Sequence, residues 1–146
     1  MNVKNVVIVF VISVIVVMCK RTNETEEHFF NFMEQYEIEI GNEDDLIFYV
    51  FFENGCSACN DIARREILKS DSEDSYLIYV GANLKRNDID DSFKGKFRDK
   101  LILDKKEFMK RIPWDLKGSG KIIVTGEKIK RIEMYEPGKT GAKCAT

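Results

Sequence analysis

Cys56 and Cys59, in the stretch ENGCSACND, are the residues of this chain whose type and spacing can do chemistry. A pair separated by two residues can exchange electrons with a disulfide, give two thiolates to a metal, or staple a loop as a structural disulfide. The outcome depends on the elements that carry it. If Cys56 opens a helix, the unpaired N–H groups of the first turn and the positive end of the helix dipole favour a thiolate there. The thiolate is the attacking species in disulfide exchange. Cys59, one turn further in on an apolar face, then keeps its proton until a mixed disulfide forms on Cys56. It attacks that bond and releases the reduced partner. This spacing at a helix N-terminus brings the two sulfurs within bonding reach.

The flanking sequence supplies such elements. Leu46–Phe52 is an unbroken apolar and aromatic run, the pattern of a central strand covered on both faces. Asn54-Gly55 breaks it. Cys56–Leu68 reads as a helix, with Cys59, Ile62, Ala63 and Ile67 on one buried face. After an acidic connector, Ser70–Ser75, Tyr76–Val80 reads as a second buried strand, parallel to the first across a right-handed crossover. Upstream, Asn23 and Glu26 have capping-box spacing, and Phe29, Met33 and Tyr36 repeat at helical spacing, with Phe30 and Phe32 broadening the stripe. His28 reads as a partly exposed helix residue. Downstream, Asn83–Lys100 is highly charged and reads as a short helix, Phe93 and Phe97 one turn apart, with loops. Leu101–Leu103 reads as a short extended piece and Lys105–Arg111 as helix. Lys121–Thr125 and Lys128–Tyr135 read as a hairpin about Gly126-Glu127. The sum is an α/β chain with a central mixed sheet and flanking helices.

The chain has 146 residues, 44% hydrophobic and 33% charged, a globular composition. A net charge of −2 gives no basic excess for nucleic acid. No glycine-rich phosphate loop and no internal repeat occurs. A single histidine, His28, argues against histidine-based metal sites and triads.

The first 18 residues form a separate unit. Lys4 precedes Val6–Met18, an apolar run of 13 residues that is short for a bilayer span and suits an export signal. Cys19 follows at once. A cysteine closing an apolar signal resembles a bacterial lipoprotein signal, which implies acylation of Cys19, although Met18 stands where a small residue is usual. An uncleaved anchor and a buried apolar helix are the other readings. Lys20 and Arg21 outnumber Lys4, which favours keeping that side of an uncleaved anchor in the cytoplasm. The expected organisation is residues 1–18 as signal or anchor, 19–136 as one domain, and 137–146 as a flexible Gly- and Lys-rich tail.

A buried strand ending at Cys56-Ser57-Ala58-Cys59, opening a helix within β-α-β and followed by a hairpin, resembles the thioredoxin-like fold over roughly residues 25–135. With the N-terminal signal, the chain is similar to membrane-tethered thioredoxin-like proteins of bacterial envelopes. The resemblance implies a thiol–disulfide oxidoreductase with Cys56 as nucleophile and Cys59 as resolving cysteine, the two forming a redox-active disulfide. Ser57, Ala58, Ser119 and Gly120 would line the substrate groove. It also implies no cofactor, protein disulfide or dithiol substrates, a membrane or periplasmic electron donor, and a site facing the periplasm or exterior.

Several positions depart from the family pattern. Gly55 stands where an aromatic residue is common. Val50 replaces a buried acid, and Glu53 is a nearby charge that would oppose a thiolate. Gly118-Ser119-Gly120, not a proline, precedes the strand at Lys121, and Pro113 serves only if that strand begins at Trp114. Pro137 and Gly138 stop a C-terminal helix. These departures motivate a second reading, a non-catalytic binding or scaffold module with a structural Cys56–Cys59 disulfide. Metal binding is a third reading, but structural zinc takes four protein ligands, and only Cys19, Cys144 and His28 remain to supply them. Cys144 reads as an exposed tail thiol able to pair transiently with Cys56 or another chain.

Overall fold

Strand β1, Asp45–Phe52, is the centre of a five-stranded mixed sheet in the order β3-β2-β1-β4-β5. The computed structural model describes residues 24–41, 45–70, 75–114, 116 and 118–136. The apolar run Val6–Met18, Cys19, Asn23 and the tail with Cys144 lie outside the described residues, as do the readings made on them. Among the described residues no helix is long and apolar enough to cross a membrane.

The alternation of β1 explains its position. Phe48, Val50 and Phe52 face one apolar cluster, Tyr49 and Phe51 the other. A strand with bulky residues on both faces is satisfied only inside the sheet. Full burial of one such side chain contributes about 1.5–3 kcal/mol. Strand β2, Ser75–Val80, runs parallel to β1 and divides its side chains in the same way. Strand β3, Leu101–Asp104, pairs parallel to β2 at the sheet edge. On the other side of β1, β4, Gly120–Thr125, runs antiparallel to it, and β5, Lys128–Met134, antiparallel to β4. Gly126, φ 54°, supplies the positive φ that their two-residue turn requires.

Helix α1, residues 24–35, covers one face with Phe29, Phe32 and Met33. Tyr36, just past its end, stays 39% exposed, lies tilted against Phe32 at 4.8 Å between ring centroids, and donates to the Leu103 carbonyl. Glu26 Oε1 accepts from Ile129 N at 3.0 Å, tying α1 to the irregular register of the hairpin. His28 is exposed. Helix α2, Ser57–Lys69, and helix α3, Asp91–Phe97, cover the opposite face through Ala63, Ile67, Phe93 and Phe97. Asp90 caps α3 by accepting from Ser92 N at 2.7 Å and pairs with Arg64 of α2.

One element differs from expectation. Lys105–Arg111 is not a helix; only Phe108–Lys110 forms a single tight turn. Glu107 takes a left-handed conformation, φ 53°, and the buried Asp104 carboxylate captures Phe108 N and Met109 N. The left-handed Glu107 breaks a helix begun at Lys105, and Pro113 disfavours helical backbone at Ile112, so the turn does not propagate.

Candidate functional site

The two cysteines sit where β1 delivers the chain to α2. Phe52 ends the strand, and its carbonyl accepts from Gly55 N at 3.1 Å, closing a tight turn. Cys56 follows as the N-cap residue, and Asn60 N donates to its carbonyl at 2.9 Å as the first helical bond. Cys56 is exposed and Cys59 partly so, and both are free thiols, so the expected disulfide is not formed in this structure. Ser57 and Ala58 are also exposed, at the helix start between the cysteines.

The environment separates the two thiols. The Cys56 sulfur makes no capping hydrogen bond in the strict sense. Its pKa is nonetheless lowered, first by the Cys59 thiol and then by the backbone N–H groups of Cys59 and Ala58. The Cys59 pKa is raised, first by its hydrogen bond with Cys56, then by burial, then by charge on Cys56 and, last, on Glu136. The two directions favour ionisation at Cys56 over Cys59.

The loop before β4 closes the corner from behind. Ser119 is 1% exposed. Its hydroxyl accepts from Phe52 N at 3.0 Å and donates to Asn60 Oδ1 at 2.8 Å. Asn60 Nδ2 in turn donates to the carbonyls of Phe52, 2.9 Å, and Glu53, 3.4 Å. Gly120 is buried, paired with Val50 on one side and Met134 on the other. Of the four residues expected to line a groove, Ser57 and Ala58 are thus at the surface, while Ser119 and Gly120 lie beneath it.

A cleft of about 350 Å³ adjoins Gly55, walled by Phe52, Ile112, Trp114 and Leu116, with Asn54 and Lys110 also lining it. The Trp114 indole N–H donates to the Met109 carbonyl at 3.1 Å while its ring lies 5.9 Å from that of Phe29, so this residue serves both core and cleft. Pro113 does not precede β4, which begins at Gly120; its carbonyl accepts from Thr25 Oγ1 at 2.9 Å.

Two of the acid positions are as the sequence suggests, and one acid is new. Val50 is fully buried with no acid in its place. Glu53 is exposed, and its charge raises the Tyr79 phenol after burial has done so. The acid that acts on Cys59 is Glu136, brought in by the end of the hairpin, where Tyr135 N donates to the Ser119 carbonyl at 3.0 Å. Sequence reading missed both Asn60 and Glu136. Asn60 carries a weak local signal, an amide next to the cysteine; Glu136 carries none, since it is an ordinary acid at the very end of the expected domain. Among the described residues no group of three or more His, Cys, Asp or Glu side chains could hold a metal ion.

No protein-family model, no curated protein and no solved structure matches the chain.

Proposed function

We propose that the chain is a thiol–disulfide exchange protein of thioredoxin-like type, with Cys56 attacking and Cys59 resolving. The observation that carries this reading is the placement of two free thiols at one helix N-terminus, Cys56 exposed at the N-cap and Cys59 less exposed one turn further in; the lowered Cys56 and raised Cys59 pKa agree with it. The sheet supports it as well. A central strand leads into the pair, with a parallel neighbour on one side and an antiparallel hairpin on the other.

The exchange runs in two displacements. The Cys56 thiolate attacks one sulfur of a protein disulfide, the substrate S–S bond breaks, and the leaving thiolate takes the electron pair and then a proton from water. Cys59 loses its proton to solvent and attacks the Cys56 sulfur. The mixed disulfide breaks, and the second substrate thiol leaves. The substrate gains two electrons and the pair becomes a disulfide, which a dithiol donor must reduce before another turnover. Run backwards, the same steps oxidise a dithiol substrate. The Val6–Met18 run and Cys19 support an envelope location with a lipid or peptide anchor.

The test is trapping. Cys59→Ser is expected to accumulate mixed disulfides on Cys56, seen as higher-mass species on non-reducing gels that vanish with reductant, and Cys56→Ser to accumulate none. If neither cysteine reacts with a disulfide faster than a free thiol does, the reading fails.

A further inference from the structure

The start of α2 lacks the usual local supports. Cys56 makes no side-chain cap, and the first turn contains no acidic residue. The preceding turn includes Gly55, whose backbone loses more freedom on ordering than any other residue. Something else must hold this corner. Asn60 is the side chain placed to do so, although it takes no part in electron transfer itself. Its amide donates to the end of β1 through the Phe52 carbonyl and to the following turn through the Glu53 carbonyl, and its oxygen accepts from the buried Ser119 hydroxyl. Ser119 returns to β1 through Phe52 N, so both backbone polar groups of Phe52 are engaged. A neutral amide suits this position because it presents donors on one side and an acceptor on the other.

The space around Gly55 is fitted to the same side chain. A Cβ at residue 55 would lie 2.8 Å from Asn60 Oδ1 and 3.1 Å from the Phe52 carbonyl oxygen. Asn60 cannot swing away without giving up hydrogen bonds on two elements. The absence of a bulky residue before Cys56 and the presence of Asn60 after Cys59 are therefore one arrangement.

We propose that Asn60 is a positioning residue for thiol exchange, clamping the end of β1, the first turn of α2 and the approach to β4 so that the N-terminal turn of the helix stays wound at Cys56. The inference rests on Cys56 being the attacking thiol. Loss of the clamp frees the 53–55 turn and lets the first helical turn fray, and a frayed turn no longer favours the thiolate.

The experiment measures alkylation of Cys56 against pH in the reduced full-length protein, site by site by peptide mass spectrometry, for wild type and Asn60→Ala. The substitution is expected to move the Cys56 midpoint upward by about half to one pH unit, so that alkylation below the midpoint slows about three- to tenfold. A helix-content and melting check establishes that the variant is folded. A folded Asn60→Ala with the wild-type midpoint overturns the inference. In the wild-type protein, the Asn60 side-chain amide protons are expected to exchange with water more slowly than those of a free asparagine amide. Exchange at the free rate overturns the inference without recourse to any variant. Failure of the underlying reading looks different, because Cys56 of the wild type would then alkylate like an ordinary thiol at every pH.

Discussion

Asp104 Oδ2 accepts the N–H of Met109 at 2.8 Å, and its second oxygen accepts that of Phe108 at 2.9 Å. The residue is 1% exposed, and its own carbonyl accepts from Gly81 N and Glu107 N, both at 3.3 Å. One side chain thus ends the edge strand β3 and fixes the turn that seats Met109 in the core under α1. Asp104→Ala orphans the buried N–H of Met109 and the part-buried one of Phe108, and a buried group left unpaired costs about 1–3 kcal/mol. Asp104→Asn keeps one acceptor oxygen and is expected to lose about half as much. Urea unfolding of the three proteins checks this. An alanine variant within about 0.5 kcal/mol of wild type, the size of an ordinary surface change, contradicts the structural role.

The opposed thiols predict a pH profile. A thiol whose pKa is lowered ionises at lower pH, so alkylation of Cys56 should reach half its maximum below the ordinary thiol value of 9.0. Cys59 is raised and should reach half its maximum above that value. The first cause of the Cys56 shift is the Cys59 thiol, so Cys59→Ala is expected to move the Cys56 midpoint upward, toward the ordinary value. Rates of iodoacetamide labelling across pH test both statements. A Cys56 midpoint unmoved by Cys59→Ala would assign the shift to the backbone N–H groups alone.

Tyr135 predicts alkaline behaviour. Its phenol is pushed well above the ordinary 10.0, first by burial and then by Tyr49, Glu66 and Glu133. The folded protein therefore keeps the proton after the unfolded chain has lost it. Stability is unaffected below 10.0 and falls as pH rises past that value, because ionisation then stabilises only the unfolded chain. Tyr135→Phe should make the alkaline decline shallower while changing stability at neutral pH by about 1 kcal/mol or less. Denaturant midpoints at neutral and alkaline pH measure the difference. Parallel declines in the two proteins would show that Tyr135 is not the group concerned.

Much of the frame is readable along the chain because it depends on neighbours. The unbroken apolar run that becomes β1, the similar run of β2, and the spacing of Phe29 with Met33 or Phe93 with Phe97 are local signals. So is the position of Cys56 at a strand-to-helix corner. Lys105–Arg111 has a helical composition, but the Asp104 carboxylate fixes the turn at Phe108 and Met109 after a left-handed Glu107, and Pro113 closes the segment, so one turn is all that forms. Ser119 is surface-like by type, yet both bonds of its hydroxyl are to partners far away in sequence, which places it beneath the site.

The sequence by itself determined that two thiols stand at the N-terminus of a helix fed by a central strand, because hydrophobic period and chain spacing are local properties. The tertiary structure decided what surrounds them. It set Asn60 against Ser119, brought Glu136 to act on Cys59, and attached β3 to the free edge of β2. Each of these joins residues that only folding makes neighbours, so no window of sequence contains them.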